Sequence, residues 1–204
     1  MEFLFNTNVQ LYILAYLVGS IPFGLLLAKY VGKVDIRKEG SGNIGATNVL
    51  RVLKEKNPDL AKKLGGATLA LDALKGVFVL LIGYMLGVSE ATMWAIAVFS
   101  VIGHCISIFL LGDGGKGVAT SLGVLMFMVP FSAIVGLAVW LFCAKVFRIV
   151  SLSSLFGVVG AVASSFVLYP DIIHTPIVII GFMIFYKHWE NIGRLFAGKE
   201  SKIA

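Results

Sequence analysis

Charge is scarce in this sequence. Asp, Glu, Lys and Arg make up 14% of its 204 residues, whereas a soluble domain carries about a quarter. With 58% hydrophobic residues and a mean hydropathy of +0.94, this deficit excludes water as the solvent of most side chains. Cysteine is nearly absent. Cys105 and Cys143 both sit in apolar runs, outside any C-x-x-C or Cys/His ligand pattern, so neither a disulfide framework nor a metal site is expected. Of the three histidines, His104, His174 and His188, none has Asp five positions later; Phe109, Ile179 and Gly193 stand there. The His-x4-Asp acyl-transfer dyad is therefore missing. So are Ser-x-x-Lys, Gly-x-Ser-x-Gly and His-Glu-x-x-His. No basic segment precedes the first apolar run, which reads as a retained span and not a cleaved signal. Low-complexity segments, a soluble domain and a convincing internal repeat are also lacking, and no nucleic-acid partner and no cofactor is expected.

What remains is apolar runs and the loops between them. A helical span needs about 20 apolar residues, with tolerance for shorter ones, and Val9–Val31, Thr68–Val88, Ala91–Leu111, Ser151–Tyr169 and Ile172–Tyr186 qualify. The run Val118–Phe147 would be about 45 Å long as one helix, and Pro130 divides it nearly in half. Basic residues decide how to count it. Loop 1 carries nine of them, Lys29, Lys33, Arg37, Lys38, Arg51, Lys54, Lys56, Lys62 and Lys63, and belongs in the cytoplasm by the positive-inside rule. Two helices in the divided run bring Lys145, Arg148, Lys187, Arg194, Lys199 and Lys202 to the same side. The outside then keeps Glu2, Glu90 and Asp171 and no Lys or Arg. The expected fold is an all-α integral membrane protein in the cell (inner) membrane. Its single polytopic domain has seven spans, at about 9–31, 68–88, 91–111, 118–129, 131–147, 151–169 and 172–186. The N-terminus lies outside and the C-terminus in the cytoplasm.

In that topology every polar cluster meets at the inner face. Gly40-Ser41-Gly42-Asn43-Ile44-Gly45-Ala46-Thr47-Asn48, with Arg51 behind it, combines three glycines able to form an anion nest with hydroxyls, amides and a guanidinium suited to phosphate. Ala46–Glu55 reads as a short helix whose N-terminus points into the same place. The stretch contains G-x-G-x-x-G, but a charged connector precedes it in place of a strand, so it is no dinucleotide fingerprint. Gly112-Asp113-Gly114-Gly115-Lys116-Gly117 surrounds a lysine with glycines at the start of a helix, again suited to phosphate. Gly117 occupies the Ser/Thr position of a Walker A loop and excludes that reading. A third cluster, Lys187-His188-Trp189-Glu190-Asn191 with Arg194, enters the cytoplasm on the last span. Within the spans, Asp72 and Lys75 should face the bundle interior and pair. Ser151, Ser153 and Ser154 open a span, where one N-caps and another reaches the site. His104 lies about two turns from the second loop, either lining the cavity or buried as an interior histidine.

These three motifs, Gly40–Asn48 with Arg51, Gly114–Ser121 (GGKGVATS) and His188-x-Glu190-Asn191, resemble in order and topology the bacterial glycerol-3-phosphate acyltransferases that use acyl phosphate, the PlsY family. The resemblance covers essentially the whole chain. It implies transfer of a fatty acyl group from acyl phosphate to the 1-hydroxyl of glycerol 3-phosphate, giving lysophosphatidic acid and phosphate in the first step of phospholipid synthesis. It also implies a catalytic set of Ser41, Lys116 and His188. Acyl phosphate would be held by Ser41, Gly42, Asn43, Gly45, Gly115, Lys116 and Ser154, and glycerol 3-phosphate by Thr47, Asn48, Arg51, Lys116, His188 and Asn191. His188 is either the proton acceptor or a donor to phosphate, and Glu190 orients His188 or Arg194. The protein is expected to work as a monomer in membrane lipid. Asp113 departs from the family pattern, where a basic residue is frequent. The competing reading is a transporter of a phosphorylated solute, whose binding groups would lie at mid-membrane.

Overall fold

Lipid offers no partner for a backbone N–H or C=O, so each apolar run must satisfy its own hydrogen bonds as helix. The computed structural model describes residues 6–202, and all regular structure among them is helical. The first apolar run, expected as one span, divides into α1 (Thr7–Ser20) and α2 (Phe23–Tyr30). Pro22 has no N–H and restrains Ile21 to extended geometry, φ −62° and ψ 118°. The released carbonyls find partners elsewhere in the bundle. Ser107 Oγ donates to Ser20 O at 2.6 Å, and Lys75 Nζ donates to Ile21 O at 3.0 Å.

Loop 1 contains α3 (Ala46–Lys54), the short helix expected there. It is folded and not a loose connector, because Ile36, Ile44, Val49, Leu53 and Leu64 form a small core of their own beneath it. The long helix α4 (Pro58–Met85) starts well before its apolar run. Asn57 Oδ1 accepts from Leu60 N, Pro58 opens the first turn, and Asp59 complements the helix dipole. Ser89 caps α5 (Glu90–Cys105) through Thr92 N. This helix ends before the apolar run does, and Ile108–Leu110 forms a 3₁₀ turn. The divided run becomes α6 (Val118–Met128) and α7 (Pro130–Phe147), meeting at Val129. The chain continues through α8 (Val150–Leu168), α9 (Thr175–Lys187) and α10 (Trp189–Phe196).

Among the described residues, five stretches are long and apolar enough to cross a membrane: Thr7–Tyr30, Pro58–Met85, Glu90–Leu110, Pro130–Phe147 and Val150–Leu168. Val118–Met128 and Thr175–Lys187 are shorter apolar helices. The bundle core runs through Leu80, Ile96, Val101, Val124 and Ile180. Small residues set the approach of the helices, as in membrane bundles generally. A Cβ on Gly19 would stand 2.3 Å from Ser100 O, and one on Gly103 would stand 2.2 Å from Tyr16 O, so α1 and α5 touch backbone to backbone. Leu74, Phe78, Phe131, Phe142 and Phe182 face outward and exposed, as lipid-facing flanks do.

Candidate active site

Loop 1 is shaped by two glycines and one amide. Gly40 (φ 65°) and Gly42 (φ 72°) occupy the left-handed region, where a side chain is disfavoured. Gly45, expected to do the same, is extended at φ −80° and serves as the N-cap of α3. Asn48 is 2% exposed. Its Nδ2 donates to the carbonyls of Ile36, Asn43 and Glu39 at 2.9, 2.8 and 3.2 Å, and its Oδ1 accepts from Ser41 N at 2.8 Å. The amide expected to bind substrate is thus spent inside the loop, where it gathers three carbonyls and presents Ser41.

The second loop stands against α5. Gly115 N donates to His104 O at 2.9 Å. A Cβ on Gly114 would meet His104 O at 2.2 Å, and one on Gly115 would meet His104 Nε2 at 2.2 Å. These two glycines are there for close approach, while Gly112 (φ 93°) and Gly117 (φ 83°) make the turns. The loop delivers Lys116, whose Nζ donates to Asn191 Oδ1 on α10. Burial pushes the Lys116 ammonium down to about 8, with Glu200 opposing that fall and Arg194 adding to it. Asp113 is exposed, and its charge acts on Arg37 of loop 1.

The third cluster is not one helix. α9 stops at Lys187 and α10 begins at Trp189, with His188 at the junction. His188 is 2% exposed, and its Nδ1 lies 2.7 Å from Ile184 O. A carbonyl only accepts, so Nδ1 carries the proton and Nε2 keeps its lone pair. Burial lowers the His188 pKa to about 4, with the bond to Ile184 opposing and Lys116 assisting. Glu190 is exposed and pairs with Arg194 at 3.7 Å; it does not reach His188.

One participant was not found from sequence. Glu200, on the chain beyond α10, accepts from Ser151 Oγ at 2.7 Å, from Arg194 Nε at 2.7 Å and from Asn191 Nδ2. Burial works against its ionised form, yet these bonds and Arg194's charge hold the carboxyl below its usual value. Next to it, Ser201 Oγ accepts from Arg51 Nη2 at 3.2 Å. No motif marked Glu200; its only signal was an acid among cations near the chain's end. The serines also differ from expectation. None caps α8, since Ile149 is the N-cap. Ser153 and Ser154 donate to the carbonyls of Ile149 and Val150. Trp140 Nε1 donates to Ser154 Oγ at 3.2 Å, so Ser151 and not Ser154 joins the charged cluster.

All these pieces meet in one cavity of about 710 Å³. Ser41, Asn43, Gly45, Thr47, Asn48, Arg51, Lys116, Ser154, His188 and Asn191 line it, while Gly42 and Gly115 do not. Apolar side chains line the same cavity, among them Leu122, Leu125, Leu137, Val158 and Ile180. His104 and Asp72 line the cavity as well. No group of three or more His, Cys, Asp or Glu able to hold a metal occurs among the described residues. The arrangement suits an amphiphile with an anionic head and a long apolar tail.

Known proteins of this shape and sequence bear on that arrangement. A family model described as glycerol-3-phosphate acyltransferase matches residues 9–198. Proteins named glycerol-3-phosphate acyltransferase from Sulfurimonas denitrificans, Aliarcobacter butzleri and Wolinella succinogenes are 60%, 55% and 50% identical, each alignment covering 100% of both chains. Two crystal structures of PlsY, an integral membrane glycerol 3-phosphate acyltransferase, are similar in fold. Its glycerol 3-phosphate form matches with a TM-score of 0.86 and 38% identity, and its lysophosphatidic acid form with 0.85 and 37%. Both alignments cover 98% of this chain and 96% of the other.

Proposed function

The chain belongs to the glycerol-3-phosphate acyltransferase family, and from that premise we propose that its cavity joins a fatty acyl group from acyl phosphate to the 1-hydroxyl of glycerol 3-phosphate. The products are lysophosphatidic acid and phosphate, and the reaction opens phospholipid synthesis. The observation that carries this reading is a cavity lined both by the cations Arg51, Lys116 and Arg194 and by apolar side chains of α6 to α9. An acyl phosphate likewise joins an anionic head to an apolar chain.

Lys116 and the loop-1 group around Ser41 and Asn43 hold the donor's phosphate, with Arg51, Thr47 and Asn191 on the glycerol phosphate. Asn48 acts from within the loop by fixing Ser41. Ser151, through Glu200, assists the polar wall beside Ser154. His188, neutral and with Nε2 bare, accepts a hydrogen bond from the attacking hydroxyl and so aims it. With its pKa near 4 it is a weaker base than a phosphate, whose second pKa is about 6. The hydroxyl's proton therefore passes to phosphate. An acyl phosphate carries a good leaving group, so orientation and charge stabilisation supply most of the rate.

The helices assemble as one domain of seven spans, the five long ones joined by α6 and α9. The basic loops face the cytoplasm and the N-terminus lies outside, by the positive-inside rule. The enzyme works as a monomer in the inner membrane, taking its donor from the lipid side and glycerol 3-phosphate from the cytoplasm. A solute carrier would place its binding groups near the membrane's middle, whereas here the cations gather at the loop end of the bundle. The test is lysophosphatidic acid formation by purified protein given labelled glycerol 3-phosphate with palmitoyl phosphate or palmitoyl-CoA, with Lys116→Ala beside it. Product from acyl phosphate alone, lost in the variant, is the expected result. No product from either donor in folded protein would return the transport reading.

A further inference from the structure

A buried triad beneath the second loop has no place in the chemistry so far. Lys75 on α4 is 4% exposed. Its ammonium has three neighbours: Asp72 Oδ1 at 3.0 Å, Ile21 O at 3.0 Å and His104 Nδ1 at 2.8 Å. An ammonium donates three protons and accepts nothing. Nδ1 of His104 must then be the acceptor, which leaves the ring's proton on Nε2. Asp72 does not compete for Nδ1, since its Oδ1 is 3.7 Å away, beyond a good hydrogen bond. Lys75 thus sets the tautomer of His104, opposite to that of His188.

Nε2 of His104 has no hydrogen-bond partner among the described residues. It lies over Gly115, where a Cβ would come within 2.2 Å of it, one residue before Lys116. His104 also lines the cavity, as do Lys116 and the apolar Leu122. The carbonyl oxygen is the one polar atom of an acyl phosphate between its phosphate and its hydrocarbon. We propose that His104 is a further catalytic residue, whose Nε2–H donates to that carbonyl oxygen and stabilises the negative charge that builds there. This rests on the acyl-transfer reading above.

In the step, the glycerol 3-phosphate hydroxyl oxygen bonds to the carbonyl carbon, and the C=O π pair moves onto the oxygen facing Nε2–H. The pair then returns to re-form C=O, the C–O bond to phosphate breaks, and phosphate departs with the hydroxyl's proton. Asp72 and Lys75 are positioning residues, acting only through His104.

The experiment uses the full chain in lipid nanodiscs: wild type, His104→Ala, His104→Gln and Lys75→Met, each given palmitoyl phosphate and glycerol 3-phosphate. ¹⁵N NMR of labelled histidine reads the tautomer independently of turnover. Loss of one oxyanion donor lowers kcat about 10²–10³-fold, so His104→Ala should fall in that range. Its KM values should stay within about threefold, because the bond strengthens chiefly as charge builds on the oxygen in the transition state. His104→Gln, which keeps an N–H, should recover part of the rate, and the NMR should show Nε2 protonated and Nδ1 bare in wild type but mixed in Lys75→Met. Wild-type kcat in His104→Ala, a loss confined to the KM for palmitoyl phosphate, or a proton found on Nδ1 would each overturn the proposal. Should His104→Ala fail to fold, His104→Gln and the NMR decide alone. Wild type without any product removes the acyl-transfer reading, and this role with it.

Discussion

Replacing Gly115 by alanine adds one methyl group at a place where the structure has no room for it. An ideal Cβ at 115 lies 2.2 Å from Nε2 and 2.7 Å from Cε1 of His104, whereas carbon contacts settle at about 3.5–4.0 Å. Something must give by about 1 Å. The imidazole cannot swing aside without breaking the 2.8 Å contact of Nδ1 with Lys75, which is itself held by Asp72 and the Ile21 carbonyl. The loop yields instead, stretching the 2.9 Å bond from Gly115 N to His104 O and carrying Lys116 with it. Overpacking of this kind costs about 1–3 kcal/mol, and displacing a positioning group by about 1 Å costs about 10²-fold in rate. The expected result is a fall of that size in kcat/KM for lysophosphatidic acid formation, in a protein that still folds. Gly66→Ala is the control. A Cβ there meets nothing within 4 Å, so activity should be unchanged and stability should rise by about 0.5–1 kcal/mol. Gly115→Ala with the activity of that control would refute the clamp on the second loop.

Three other outcomes follow from the same contacts. Gly123→Ala drives a Cβ to 2.0 Å from the backbone oxygen of Ala73, an atom that cannot rotate away; α4 and α6 must part, and stability in detergent should fall by about 3 kcal/mol, with an unchanged melting temperature as the contrary finding. Burial holds Lys116 down to about 8, so its charge is present below that pH and lost above it. kcat/KM, which reports the free enzyme, should then fall about tenfold per pH unit above 8 in wild type and not in Lys116→Arg; a flat profile to pH 10 in wild type counts against the assignment. Glu200→Gln leaves Arg194 Nε without the carboxylate it bonds at 2.7 Å and loosens Asn191; a loss of about 1–3 kcal/mol and a raised KM for glycerol 3-phosphate are expected, and retention of both values would mean that Glu200 does not hold the polar wall.

Solvent, family and the location of the site's cations were legible in the linear chain, because each depends on local composition. A 14% share of charged residues cannot surround this many apolar ones with water. Glycines beside Lys116, and beside Ser41 and Asn43, announce tight backbone turns next to polar side chains, although the fold spends the N–H groups of Gly42 and Gly115 on the carbonyls of Glu39 and His104. The short helix at Ala46–Lys54 and the inward pairing of Asp72 with Lys75 were also expected, the first from its pattern and the second because lipid tolerates no lone charge. The break at Pro22 had its residue in plain view, but its consequence, two carbonyls claimed by Ser107 and Lys75, needed the neighbouring helices.

Other assignments depended on which side chains converge, and no local pattern carries that. Asn48 looked like a substrate ligand until the fold folded three carbonyls around its amide. Ser151 and Ser154 are equivalent in the sequence, yet α8 turns one toward Glu200 and the other toward Trp140. Glu200 lies 49 residues from Ser151 along the chain, and His104 lies 29 from Lys75. Residue types and backbone needs are properties of a short stretch of chain, so the sequence by itself determined what this protein dissolves in and which polar groups its loops carry. Which hydrogen-bonding atoms stay free, and which tautomer each histidine adopts, is set by partners brought from other helices. That was decided by packing alone.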